Sequence, residues 1–407
     1  MSGFVATTAG PATSLSVAAC HPTTRSWTPD RPDMVAGPMR RATVAEFSIN
    51  VTGLSGMSAQ LLRTGADVAA IRAHLGTIDS SAFSGFLETV RGRFEDVLHA
   101  QLSDVIDAQF AAQQVGNEIA NSLDYYRSTD HTHMAAFDAQ LPASAEPDFM
   151  FSNQASDVPA ASYADVSHPR GRLTEPPSYE EELSWKPRLT LDLGNVSAFV
   201  RGTVKFVTGV DPMEPLEKLA AGDWAEVRRI ADRFNNAAWA FADCADNVEH
   251  CANSSQADWI GNAGDGARSY LGRLATGFYG EYEKNEFLYG QIKTLAEGVF
   301  EAATAVVDKA SDWINKRLLP ALASMGVAGA TEEIPGWDLL ADGVAGWSAY
   351  QAIQEASDVY ERATAINTMI EAFGGALSVS QNGSLTMPDP VASLPAQTYW
   401  SPVSPKN

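Results

Sequence analysis

Asp130, His131 and His133 place a carboxylate and two imidazoles within four residues, the composition from which a transition-metal site is built. No cysteine and no third histidine stands near them, so the grouping reads as a polar tail rather than a metal centre. Gly261-Asn262-Ala263-Gly264-Asp265-Gly266 has the glycine density of a phosphate-binding loop. No strand pattern precedes it and no Lys-Ser/Thr follows, so its glycines are expected to serve a turn and a close approach of helices. Cys244 and Cys251 are seven residues apart on one helical pattern, which separates them by roughly 10 Å along the axis. That is too far for a disulfide, and both are expected to be small apolar seam residues. The chain contains no Gly-x-Ser-x-Gly, no His-Glu-x-x-His and no Cys-His pairing at a catalytic spacing. We therefore expect no catalytic residues, no metal, no cofactor and no enzymatic activity.

The elements that would carry any function are long helices. Val227, Ile230, Phe234, Ala237, Phe241, Cys244, Val248 and Cys251 follow a 3-4-3-4 spacing, which draws one apolar stripe down a helix. Ala267, Tyr270, Leu274, Phe278, Leu288, Ile292, Leu295, Val299, Ala302 and Val306 draw a second stripe with one irregular step. Between them stands Trp259-Ile260-Gly261 in a short polar turn, so the pair reads as an antiparallel helical hairpin. The tryptophan ring can plug the apolar tip, and the glycine opens backbone conformations closed to other residues. An earlier hairpin has the same design. Its first stripe runs through Leu54, Met57, Leu61, Thr64, Val68, Ile71 and Leu75 within 46–77 and ends at Gly76. Its second runs from about 82 to 128 through Phe86, Val90, Phe94, Leu98, Leu102, Val105, Ala112, Val115, Ile119 and Leu123. At roughly 65 to 70 Å this arm overhangs the first unless something covers it. Phe83-Ser84-Gly85 takes the place of the aromatic-x-Gly turn.

The second hairpin, with Gly222-Asp223-Trp224 ahead of it and Trp259-Ile260-Gly261 at its reversal, resembles the WXG100 superfamily over about 213–310. Those proteins are small helical hairpins secreted by type VII (ESX) systems of actinobacteria and relatives. The resemblance implies that Trp259 and Gly261 shape one hairpin tip and Phe83 and Gly85 the other. It also directs attention to Tyr126-Arg127-Ser128-Thr129-Asp130, which fits the Tyr-x-x-x-Asp/Glu export pattern of that family at the end of the long arm. On a continuous helix, Tyr126 and Asp130 would share one face and form a recognisable patch. Tyr279 with Glu283 and Tyr282 with Glu286 have the same spacing, but mid-helix they read as seam aromatics beside solvated acids.

In the family, one partner commonly brings the W-x-G turn and the other the tyrosine-acid tail. Here both lie in one chain, so the hairpins are expected to pack as an internal four-helix bundle, a fused pseudo-dimer. The competing arrangement gives each stripe to a small hairpin partner or to a second copy. The function implied is a non-enzymatic secreted substrate, effector or structural component whose partner is the type VII machinery. Two alternatives stand beside it: a cytoplasmic helical adaptor or chaperone that binds partner helices, and a toxin carrier lacking its catalytic domain.

Bulk properties narrow the partners. Fifty acidic against 28 basic side chains give a formal charge of -22, which repels nucleic acid and anionic lipid. No run of about 18 apolar residues predicts a transmembrane helix, and no stable membrane insertion is expected. Val17-Ala18-Ala19-Cys20 has the shape of a lipobox, but Met1–Ser16 lacks the charged start and apolar middle of a Sec signal. Residues 1–43 are expected to be disordered, with Met34 or Met39 as alternative starts, and 44–137 form the first hairpin with its tail. Residues 138–190 form a Pro/Ser-rich linker that contains the WW-ligand-like Pro176-Pro177-Ser178-Tyr179. The second hairpin and its extension occupy 191–335, with a short amphipathic helix near 195–208 and a break at Pro320. A last helix falls in 336–376, and 377–407 is a Pro-rich tail. No segment alternates with period two for more than a few residues, so the fold class is all-α with disordered ends.

Overall fold

The computed structural model describes residues 47–142, 163–180, 183, 222–313, 316, 361–362 and 364–377. The chain divides into Met1–Val44 and Ala45–Asn407, and every described residue belongs to the second unit. The expectations for 1–43, the 195–208 helix, the Pro320 break, most of the last helix and the 378–407 tail lie outside the described residues.

The described residues are mostly helical. A two-residue strand β1 (Ser48–Ile49) leads into α1 (Val51–Leu75), whose first turn is capped by the Asn50 side chain accepting from Thr52 N–H. Gly76 ends α1 as its N–H returns to the Arg72 carbonyl. Two 3-10 turns, Ser80–Ala82 and Gly85–Leu87, follow before α2 (Glu88–Ser128). The long arm thus begins at 88, not at 82, because Asp79 and Ser81 lock a local turn: Asp79 accepts from both the N–H and the hydroxyl of Ser81. That turn folds back along the start of α2, where Phe83 stacks on Phe94 at 4.3 Å and Ser80 donates to Glu95. It covers the overhang that the unequal arms create.

After α2 comes α3 (His131–Asp138), and within 163–180 a short helix α4 (Pro169–Arg172). The second hairpin consists of α5 (Trp224–Asp258), the two-residue strand β2 (Trp259–Ile260) and α6 (Asn262–Trp313). Asp223 caps α5 by accepting from Glu226 N–H, and Trp224 is buried at its first turn. Residues 364–377 form α7, whose Gly374 lies against Val90 and Arg93 at the start of α2.

The stripes drawn from the sequence are the core. All eight α5 positions from Val227 to Cys251 are fully buried, as are Leu54, Met57, Leu61, Val68, Ile71 and Leu75 on α1. On α7, Ile366, Ile370 and Phe373 are buried while Met369 is exposed. The two hairpins pack on each other, α1 lying along both α2 and α5. The sulfhydryl of Cys251, near the end of α5, lies 3.9 Å from the Met57 carbonyl near the start of α1, and Arg233 near the start of α5 reaches Thr77 just past the end of α1. Those two helices are therefore antiparallel. On the opposite side Tyr126 meets Trp259 and Gln101 meets Glu281, so α2 and α6 are antiparallel as well. Every neighbouring pair in the four-helix square runs in opposite senses, so the helix dipoles of neighbours oppose one another.

Residues 163–180, read from composition as part of a low-order linker, run along the groove between α1 and α5 and bind to both. On α1, Gln60 donates to the Ala164 carbonyl, Arg63 forks onto Asp165 at 3.0 and 3.1 Å, and Asp67 accepts from Arg170 at 2.6 Å. On α5, Asn247 accepts from the Val166 and Ser167 N–H groups and donates back to the Ser167 carbonyl. Asp243 takes Arg172, Arg233 holds Glu175, and Asp232 accepts from the Tyr179 hydroxyl at 2.6 Å. The tyrosine of Pro176-Pro177-Ser178-Tyr179 is thereby engaged, with the Arg228 guanidinium 4.8 Å over its ring.

Candidate functional site

Trp259 and Gly261 stand where α5 turns into α6, and the chain brings four other segments to that turn. The backbone of the tip pairs with β1, Ser48 opposite Ile260 and Ile49 opposite Trp259. The Trp259 side chain is 3% exposed, and the Tyr126 ring meets it edge-on at 6.1 Å. Tyr126 is itself 4% exposed and lies 6.3 Å from the Phe47 ring, which in turn packs against His131. The last turn of α2, the residues before α1, the start of α3 and the tip of the second hairpin thus close one aromatic cluster. T-shaped aromatic pairs of this kind add about 0.5–1.5 kcal/mol to the area they bury.

Gly261 has φ +128°, a conformation that side-chain-bearing residues rarely adopt. A Cβ placed there would also lie 2.6 Å from the Asp138 carboxylate. The reason for the crowding is a cap supplied in trans. Asp138, the last residue of α3, accepts from the Asn262 N–H at 2.9 Å and the Ala263 N–H at 2.8 Å, satisfying two of the open donors at the start of α6. Asn262 returns the contact, donating its side-chain amide to the carbonyls of Asp138 and Leu141. The glycines of 261–266 therefore serve a turn and a close approach.

Asp258, one residue before the tryptophan, does the same work for α1. Its carbonyl accepts from Asn50 N–H at 2.7 Å, and its carboxylate accepts from the Asn50 side chain and from the Tyr163 hydroxyl. Burial, followed by the carboxylate beside it, pushes the Tyr163 phenol up, so it stays a hydrogen-bond donor at any ordinary pH. The helix passes so close that a Cβ on Gly53 would lie 2.1 Å from the Asp258 carboxylate.

Asp130 does not share a helix face with Tyr126. Thr129 is extended at φ −112°, ψ 140°, and Asp130 begins the next helix, accepting from Thr132 N–H at 2.7 Å. The expected one-face patch is thus replaced by a buried ring at the end of α2 and an exposed cap at the start of α3. The hydrogen bonds from Thr132, backbone N–H first, hold the Asp130 carboxyl below the usual carboxylate range. His133 lies 4.0 Å from Asp130 and both are exposed, and among the described residues no group of three or more His, Cys, Asp or Glu is placed to hold a metal ion.

Phe83 and Gly85 lie at the opposite end of the bundle. Phe83 is fully buried, Gly85 has φ +65°, and Phe94 bridges from Phe83 to Phe234 of α5. Among the described residues Gly85 and Gly261 are the two with positive φ, so both aromatic-x-Gly turns use their glycine for the same backbone reason. Cys244 and Cys251 are free thiols in the α1–α5 seam, and burial pushes both thiols up, away from thiolate chemistry. Tyr279 donates to Asp246 at 2.6 Å, and Tyr282 stacks edge-on with Trp239 at 5.4 Å, so both are tied into α5.

Sequence reading missed Asp138, Asp258 and the 163–180 segment. The signal for the first was present as the pair Asp138 and Gly261-Asn262, but capping across 124 residues of chain leaves no local pattern. No family model, curated protein or solved structure matches this chain.

Proposed function

We propose that this chain is a non-enzymatic helical protein exported by a type VII secretion system, with its two hairpins standing in for the two subunits of a WXG100-type pair. One observation carries the reading: Tyr126 of the first hairpin packs on Trp259 of the second, at one end of an antiparallel four-helix bundle. The tyrosine-acid tail and the W-x-G turn are then halves of one junction. In this reading the machinery meets the exposed Asp130 side of the junction, while Tyr126, Trp259, Gly261 and Asp138 fix its shape. The protein would act outside the cytoplasm, and its partner in export would be the secretion machinery.

The adaptor alternative needs an apolar seam left for a partner helix. The stripes of α1, α2, α5 and α6 are instead filled by one another, which favours a self-contained bundle.

Export assay of an Asp130→Ser variant tests the reading. Serine keeps the cap on α3 but removes the carboxylate, so the fold is retained. The expected result is normal cellular level, normal thermal unfolding and loss of the protein from the culture filtrate. Undiminished secretion of Asp130→Ser, or of a Tyr126→Leu variant that still folds, would refute it.

A further inference from the structure

The apolar stripe of α6 is interrupted between Phe278 and Leu288, and the interval is filled by buried polar side chains. Glu281 is 1% exposed and Asn285 fully buried. Across the seam α2 presents Gln101, also fully buried, whose amide donates to the Glu281 carboxylate at 2.7 Å. The Asn285 amide donates to the Glu281 backbone carbonyl. The other half of each amide, Gln101 Oε1 and Asn285 Oδ1, is buried and accepts no hydrogen bond. The neighbouring ammonium of Lys284 is turned to Asp104 of α2. The cluster therefore holds more acceptors than donors in a buried place, and a proton on the Glu281 carboxyl would add one of the missing donors.

We propose that Glu281 is a proton-binding switch in the seam between the two hairpins: carrying a proton it closes the α2–α6 contact, and losing it leaves a buried charge that loosens that contact. Inside a low-dielectric seam an unneutralised carboxylate is expensive, and the cost falls on the Gln101–Glu281 link between α2 and the middle of α6. The charged groups acting on Glu281 are Lys284 from its own helix, Asp104 from α2, and no others among the described residues. Burial is the largest influence and raises its carboxyl to about 7; the lysine and the Gln101 hydrogen bond pull the other way without overcoming it.

The sign follows from linkage. Below about pH 4.5 native and unfolded chains both carry the proton; between there and about 7 the native chain keeps it and the unfolded chain does not. Stability from this group is therefore full in acid and is lost as the pH rises through 7. Carboxyls held low, those of Asp79, Glu95, Asp130 and Glu175, titrate below this window. The switch does not rest on the export reading.

Urea unfolding of the full chain from pH 5 to pH 8, compared with a Glu281→Gln variant, tests it. Glutamine is the permanent analogue of the protonated side chain. The folding constant of the natural protein, relative to Glu281→Gln, should fall by about a hundredfold over that range. Parallel profiles for the two proteins would overturn the proposal. Infrared spectra of the natural protein provide a readout that does not depend on the variant folding: a buried protonated-carboxyl band should be present at pH 5 and vanish by pH 8, and a carboxylate already ionised at pH 5 would overturn it equally.

Discussion

Trp259 ties the tip of the second hairpin to two parts of the first: its backbone pairs with Ile49 and its ring meets Tyr126. Trp259→Ala should cost about 3–5 kcal/mol, the usual range for deleting a large aromatic from a core, and urea unfolding reads it directly. Beside it, Asp138 tests whether the tail of the first hairpin is bolted to the second. Asp138→Ala removes two charge-assisted caps from α6, and a loss of about 1–2 kcal/mol with faster amide exchange across 131–141 is expected. Gly261→Ala adds a strained φ and a collision with the same carboxylate, so it should cost as much or more even though it touches no apolar contact. At this scale the sequence was informative about apolar positions and glycines. Both aromatic-x-Gly turns were visible as types at fixed spacing, and their glycines do take positive φ. The irregular step before Leu288 was visible too, but spacing alone marks only the missing apolar residue. It takes the partner helix to show that Glu281, Gln101 and Asn285 fill the gap.

The elements divide into those whose reason is local and those whose reason lies elsewhere in the chain. The four long helices are local in origin: each has a stripe, each of α1 and α5 has a side-chain cap, and all were legible from period and punctuation. The end of α2 at Ser128 was legible too, but α3 was not, because nothing except the Asp130 cap announces a new helix, and so Tyr126 and Asp130 were read on one helix face. The 163–180 segment was least legible. Its composition is that of a linker, and its order comes from side chains of α1 and α5 that recognise its backbone as a bound peptide would be recognised. Asn247 makes three of those bonds. Asn247→Ala should therefore release the segment while leaving the bundle helical, and trypsin should cut at Arg170 and Arg172 faster than in the natural protein. Unchanged cleavage together with unchanged circular dichroism would show that the segment is held by its ion pairs instead.

For the molecule as a whole, the antiparallel pairing of the hairpins brings the end of α2 to the tip of the second hairpin. Tyr126 and Trp259 lie 133 positions apart, and they meet because α1 runs opposite to α5 and α2 runs opposite to α6. The segment along the α1–α5 groove and the polar cluster on the α2–α6 side then fasten the two hairpins on opposite flanks of the square. The most direct test of this arrangement is a double-mutant cycle between Tyr126→Leu and Trp259→Leu, read by urea unfolding of the purified full chain. The two residues should couple by about 1 kcal/mol, as edge-to-face aromatics in contact do. Additivity within about 0.3 kcal/mol would mean that the rings do not meet, and the shared junction would be contradicted.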